Sequence, residues 1–384
     1  MEAKKYIYIV QVTRQLSIDI LNEFAKHEHP VVLLTGSIEK QHTGLHGNVK
    51  TRLFNRYNNS SFSGRILSGL YFHLRCFFYI LIHGRRHELI LISTPPFLPF
   101  LGLFFYRLRK QKYHLLIWDL YPDVLVRMNT IRKTSLLIKF WSKRNTSLFN
   151  HCSSLITLGN KMATSLAAYT NKTVNIIPPW ADTSYVQLID PIKNQFIKTY
   201  RLENKFVVLY AGNLGITHPV EVLINVAAQF KNDSRFIFVI IGEGEKKKLL
   251  QKLKEEAQLN NVLLLPYQNP DMFPQALAAA HVSVITLSNS AADVSVPSKT
   301  FTAMSAGSAL LVIGPEESGL GEIIRQYRCG EIFPENAVDS ITRFLMHLAA
   351  SFEMIEQYRK KSLTAAKHFS PANATHYYTV VNTN

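Results

Sequence analysis

Short apolar runs alternate with longer stretches of helical spacing along the whole chain. Residues 6–10 form a run of strand length, followed by a helical stretch at 18–27 and a strand at 30–34 that ends on Thr35-Gly36. Residues 37–64 show little periodicity and read as loops with room for a short strand. Residues 66–82 read as a helix, 89–93 and 114–118 as strands, 135–149 as a helix and 154–157 as a strand. A helix at 161–169 and a strand at 174–177 then lead into the turn PPWAD.

The second half repeats the scheme. Strand 206–210 runs into the small turn AGNLG and a helix from about residue 219, with Val220, Leu223, Ile224 and Ala227 on one face. Strand 236–241 is followed by GEGE and a Lys-rich helix. Further strands are expected at 262–265, 282–286 and 309–313, with a helix at 298–306 that Ser298 would cap. Alternation of this kind predicts an α/β protein built from parallel sheets covered on both faces. It predicts two doubly wound units in tandem, with function outside the carboxyl ends of the strands.

Composition narrows the class. The chain has 384 residues, of which 47% are hydrophobic and 18% charged, which excludes a disordered chain. At roughly 100–200 residues per domain the length suggests two domains. Residues 1–190 carry 24 Lys/Arg against 10 Asp/Glu, whereas the remainder is nearly balanced at 19 against 17. A strongly basic half seeks an anionic surface. Cys76, Cys152 and Cys329 form no disulfide or zinc pattern, so a reducing compartment is expected. The apolar run at 6–10 is too short for a secretory signal and reads as a buried strand. The most apolar long stretch, 89–106, is broken by Pro95, Pro96 and Pro99. It parses as a strand, a turn and an apolar helix from about residue 97 that runs into the basic RLRKQK. Burial against the sheet and a place in a membrane interface both fit segment 97–112.

Three loops at helix starts carry candidate chemistry. Gly212-Asn213-Leu214-Gly215 would let the backbone approach a phosphate, and Gly242 and Gly244 of GEGE would let a nucleoside approach. Glu243 and Glu245 suit hydroxyls or the N-terminal dipole of the following helix. In Asp293-Val-Ser-Val-Pro-Ser-Lys-Thr, the helix-start amides at 298–300 and Lys299 offer bonds to a diphosphate. Neither half carries the dinucleotide fingerprint of a dehydrogenase.

VVLYAGNLGITHPVEVLINVA, FVIIGEGEKKKLL, NNVLLLPYQ and SVPSKTFTAMSAGSALLVIG resemble the C-terminal domain of family 4 glycosyltransferases. In the first half, HLLIWDLYPDVLV, SSLITLGNKM and NIIPPWAD resemble the subgroup that assembles bacterial capsule, O-antigen and exopolysaccharide repeat units. The resemblance implies a GT-B fold of two Rossmann-like domains facing across a cleft. An acceptor-binding domain would span 1–183, a nucleotide-sugar-binding domain 184–365, and the segment 366–384 would pack back on the first. It implies donor contacts from Gly212, Asn213, Gly215, Gly242, Gly244, Tyr267, Gln268, Ser298, Lys299 and Thr302, with Asp293 as a weaker contact to the donor sugar. Asn213 and His218 stand where many members carry Arg and Lys, and Val294 and Thr302 where many carry two glutamates. Asp119 of WDLYPD is the candidate for acceptor binding or proton acceptance, with His218 as the second catalytic candidate and Asp123 behind both.

The implied activity is retaining transfer of a hexosyl or N-acetylhexosaminyl group. The donor would be a nucleoside diphosphate sugar, UDP-linked by preference, and the acceptor a polyprenyl diphosphate-linked saccharide. No metal and no cofactor are expected, nor a nucleic-acid partner. The enzyme would work in the cytoplasm, peripherally attached to the inner face of the plasma membrane. A sugar-nucleotide epimerase on the same fold and a non-catalytic nucleotide-sugar-binding module are the competing readings.

Overall fold

The central strands of this chain are buried on both faces, so they read as unbroken apolar runs. In a computed structural model, residues 4–39, 43–55, 57–58, 62–127, 130–216, 218–289 and 296–383 are described. The chain divides into two units, Met1–Pro179 with Pro371–Asn384, and Trp180–Ser370. Sequence reading placed these divisions at 183/184 and 365/366.

The first unit holds β1 (Tyr6–Ile9), β2 (Val12–Thr13), β3 (Val31–Thr35), β4 (Ser37–Ile38), β5 (Val49–Leu53), β6 (Glu88–Ile92), β7 (Tyr113–Ile117), β8 (Ser154–Thr157) and β9 (Val174–Ile176). Seven of them form one sheet in the order β5-β3-β1-β6-β7-β8-β9, and the pairs are parallel, with Tyr8 opposite Leu33 on one side and Ile90 on the other. Strand β5 is the short strand for which the reading of 37–64 left room. It is an edge strand in which Val49 alone is fully buried, so its sequence VKTRL lacks an apolar run. Helices Phe62–His83, Phe100–Arg109 and Leu136–His151 cover one face. Phe72, Cys76, Ile80, Leu103, Phe105, Leu148 and Phe149 share a core there with Ile7, Leu91 and Leu115. Burying each large side chain contributes about 1.5–3 kcal/mol, enough to hold the long helix on the sheet. On the opposite face, helix Ala374–Thr383 packs against helix Gln15–Lys26. Tyr378 lies edge-on to Phe24 at 5.3 Å, and Lys4 Nζ donates to the Asn382 carbonyl at 2.7 Å.

The second unit holds β10 (Phe206–Ala211), β11 (Phe236–Ile241), β12 (Val262–Leu265), β13 (Val282–Thr286), β14 (Ala309–Ile313) and β15 (Gly330–Phe333), in the parallel order β12-β11-β10-β13-β14-β15. Alternate residues of β10 feed two cores: Val208 and Tyr210 one, Val207 and Leu209 the other. Strand order reverses beside β10, where β11 lies on one side and β13 on the other. Both units are doubly wound, and ligands of such sheets bind outside the carboxyl ends at that reversal.

Candidate functional site

At the reversal in the second unit, β10 ends at Ala211 and the chain turns at Gly212, whose φ of +154° favours glycine. The turn after β11 nests against it. Leu214 N–H donates to the Glu243 carbonyl and Lys246 N–H to the Leu214 carbonyl, each at 2.9 Å. A Cβ on Gly242 would stand 2.0 Å from the Gly212 carbonyl oxygen, and one on Gly244 would stand 2.6 Å from Leu214. The glycines at 242 and 244 admit the neighbouring turn, a packing role that spacing could not separate from a ligand role. The amides of Gly212 and Leu214 are likewise engaged, the former with the Ile241 carbonyl at 2.9 Å.

Lys299 lies across this turn. Its Nζ sits 4.0 Å from the centre of the Tyr210 ring, and an alanine methyl at 212 would lie 3.4 Å from it. The Tyr210 hydroxyl donates to the Asn213 carbonyl at 2.7 Å, which fixes the ring under the ammonium. Nζ is enclosed, and among the described residues no acceptor lies within hydrogen-bond reach. Burial pushes its pKa down to about 7. An enclosed cation with a cation–π contact and no counter-charge is poised for an anion.

His218 spans the reversal itself. Its Nδ1 lies 3.2 Å from the carbonyl oxygen of Thr286, the last residue of β13. Burial and then the charge of Lys299 hold its pKa below the usual value. The ring is therefore neutral at pH 7, and the carbonyl fixes the proton on Nδ1. Nε2 is left as an acceptor, which suits a hydroxyl better than a phosphate oxygen. The backbone of His218 is tied by Lys246, whose Nζ donates to its carbonyl and to both Glu221 carboxylate oxygens at 2.8 Å. Sequence reasoning passed over Lys246 and Glu221, because nothing in the run Lys246-Lys247-Lys248 distinguishes the one lysine that turns inward.

The other second-unit candidates fare unevenly. Helix Lys299–Ser305 begins where expected, with Ser298 at its N-cap position, but the Ser298 side chain makes no capping bond. The amide of Thr300 goes to the Pro297 carbonyl, so one of the three helix-start donors expected at 298–300 is already used, and the next amide, of Phe301, goes to the Ser298 carbonyl. The Thr302 hydroxyl faces the Ser298 carbonyl of its own helix at 3.5 Å. Tyr267 is 55% exposed beyond β12, and Gln268 Nε2 donates to the Pro266 carbonyl at 2.9 Å. Asn213 is exposed, and its Nδ2 lies 2.8 Å from where a Gly215 Cβ would stand. Glu243 pairs with Lys247 at 2.7 Å. Asp293 and Val294 lie outside the described residues. Among the described residues no cluster of three His, Cys, Asp or Glu could hold a metal ion.

In the first unit, Asp119 follows β7. The amides of Trp118 and Asp119 donate to Ser93 Oγ at 3.0 and 2.9 Å, and the Asp119 carboxylate accepts from Thr94 Oγ1 at 2.9 Å. Burial raises its pKa, an effect the Thr94 bond only partly offsets. It opens on a small pocket shared with Phe97, Tyr121, Trp141 and Asn145, where Phe97 stacks on Trp141 at 4.0 Å. A carboxylate with a raised pKa is suited to take a proton near neutrality. Asp123 instead accepts from the Tyr169 hydroxyl at 2.6 Å, a structural tie.

Comparison with known proteins fits this geometry. Residues 192–362 match the model of the family described as glycosyl transferases group 1. The chain is 28% identical over 170 residues to WcaI of Escherichia coli K12, named for glycosyl transfer in colanic acid biosynthesis; the match covers 43% of this chain and 39% of WcaI. It is 25% identical over 272 residues to WbjE of Pseudomonas aeruginosa, named a glycosyltransferase, covering 68% of this chain and 66% of WbjE. The chain thus spans less than two thirds of either relative. Among solved structures it resembles WaaG, a glycosyltransferase involved in lipopolysaccharide biosynthesis (TM-score 0.69, 13% identity, 96% of this chain and 98% of that one). It also resembles Anabaena HepE in complex with UDP and glucose (TM-score 0.73, 12% identity, 99% of both chains). At these identities the structures speak for the fold, which is GT-B. Residues 192–362 thus resemble the group 1 glycosyl transferases, within a chain of GT-B fold.

Proposed function

We propose that the protein transfers a sugar, with retention of anomeric configuration, from a nucleoside diphosphate sugar to a polyprenyl diphosphate-linked saccharide during assembly of a cell-surface polysaccharide. The observation that carries this reading is the enclosed ammonium of Lys299, without a hydrogen-bond partner among the described residues, at the strand-order reversal of the unit that matches the group 1 model. That position suits a diphosphate, and the complex of HepE with UDP and glucose favours UDP as the carrier. The names of WcaI and WaaG favour surface polysaccharide or lipopolysaccharide as the destination.

In this reading the bond between the anomeric carbon and the diphosphate oxygen breaks, and the bond to the acceptor oxygen forms on the same face. The acceptor proton passes to the leaving diphosphate. Charge develops on the diphosphate oxygens, and Lys299 stabilises it there. His218 Nε2 accepts from a hydroxyl of the transferred sugar. Asp119, on the first unit, binds the acceptor hydroxyl. The reading is tested by titrating the protein with UDP-glucose and other sugar nucleotides, then measuring released UDP with and without membrane extract. Turnover that requires extract supports it. Binding without turnover under any condition favours a non-catalytic module, and release of an altered sugar nucleotide without acceptor favours an epimerase.

A further inference from the structure

The outer face of helix Phe62–His83 is the reverse of what an aqueous helix presents. Leu67, Leu70, Leu74, Phe78, Leu81 and Ile82 recur at spacings of three and four and are each 41–70% exposed. Its inner face is fixed, because Phe72, Cys76 and Ile80 are fully buried in the sheet core. The helix is long and apolar enough to cross a membrane, yet crossing would strip those residues from the core. The stripe continues onto helix Phe100–Arg109, where Phe104 lies 5.3 Å from the Phe77 ring and Leu108 is exposed. A shallow recess there is bordered by Arg107 and Arg144.

Charge decides what covers this face. The helices Phe62–His83, Phe100–Arg109 and Leu136–His151 contain seven Lys or Arg and no Asp or Glu. Arg85 and Arg86 follow directly, both exposed. A second copy of the chain would oppose like charge with like charge. An anionic bilayer satisfies both features, with apolar side chains at the headgroup–acyl boundary and cations among the phosphates. We propose that the first unit docks on an anionic bilayer through this face, with helix Phe62–His83 lying in the plane of the interface. The inference rests on the proposed membrane-anchored acceptor and names the surface that would bring the enzyme to it.

The test is co-flotation of the full chain with phosphatidylglycerol–phosphatidylethanolamine vesicles and with phosphatidylcholine vesicles. The expected result is binding to the first, at least tenfold weaker binding to the second, and at least tenfold loss on the first in Leu70→Glu/Phe78→Glu. Both side chains are exposed, and an unchanged melting curve checks the fold; Leu67→Ser/Leu74→Ser serves as a second, milder variant. Wild-type protein that ignores anionic vesicles, or variants that bind like wild type, would overturn the proposal. So would light scattering that shows a wild-type dimer and a monomeric variant, since a second copy would then cover the face. UDP-glucose affinity is measured on the same samples. Its retention in the variants, with vesicle binding lost, is expected. Vesicle binding without any sugar-nucleotide binding would sink the transferase reading and leave the docking surface standing.

Discussion

Lys299 has been taken out of water without receiving a counter-ion among the described residues, and two measurable consequences follow. Its pKa is lowered from 10.5 to about 7, so the folded state binds fewer protons than the unfolded state between those values. Stability must therefore rise with pH across that window, and the cost of the buried charge is fully present below about pH 7. Lys299→Met is expected to melt at least about 2–4 °C above wild type at pH 6, the shift that about 1 kcal/mol produces in a domain of this size. That advantage should shrink toward pH 9, as calorimetry would record. Binding has the opposite sign. In the proposed reading only the ammonium would hold a diphosphate, so UDP-glucose affinity should fall as pH rises through about 7, with proton uptake on binding. In Lys299→Met the affinity should drop about 10- to 150-fold, the equivalent of about 1.5–3 kcal/mol for a hydrogen bond to a charged group. An affinity unchanged in the variant would remove Lys299 from the site. The lysine could be picked out in the sequence from its place before an apolar helix; its enclosure could not, because Tyr210 and Gly212 reach it from another strand.

Among the elements, the two nested turns after β10 and β11 set the shape of the site. Gly242→Ala would drive a methyl into the Gly212 carbonyl. It should destabilise the protein by about 1–3 kcal/mol through overpacking, and it should weaken UDP-glucose binding by shifting the turn that positions Lys299. Urea unfolding and isothermal titration on the same variant read the two effects. His218→Gln keeps a side chain of similar reach but replaces the fixed acceptor. It should lower turnover up to about tenfold, in line with about 0.5–1.5 kcal/mol for one neutral hydrogen bond, while leaving UDP affinity intact. Strand–turn–helix order around both turns was legible in VLYAGNLG and VIIGEGE. The position of edge strand β5 within 37–64 was not, because an edge needs no apolar run; the unused capping hydroxyl of Ser298 was not, because a cap position does not dictate a cap bond.

For the whole molecule, the separation of candidates between two units makes a clean expectation. Asp119→Asn, in the first unit, should cut turnover while UDP-glucose affinity measured on the second stays unchanged. In the proposed transfer Asp119 would work ionised with a raised pKa and Lys299 protonated with a lowered one. A profile of kcat/KM against pH should therefore be bell-shaped, its alkaline limb near 7 and its acid limb above the usual carboxylate range. Loss of the acid limb in Asp119→Asn would assign that limb to it.

The sequence by itself determined the class of architecture and the order of its parts. Apolar runs of strand length alternating with helical spacing have one efficient burial, a parallel sheet covered on both faces. It also determined the uneven charge, which composition alone records. Tertiary structure decided which members of that inventory face inward or outward. Of three lysines in a row, Lys246 alone is placed to reach Glu221 and the backbone of His218, while Lys247 pairs with Glu243. Helix Phe62–His83 carries apolar residues on its outer as well as its inner face, so its periodicity hides the outward stripe that the sheet leaves uncovered. The physical reason is the same in both cases: a side chain's partners across the fold lie on other segments, and local spacing carries no record of them.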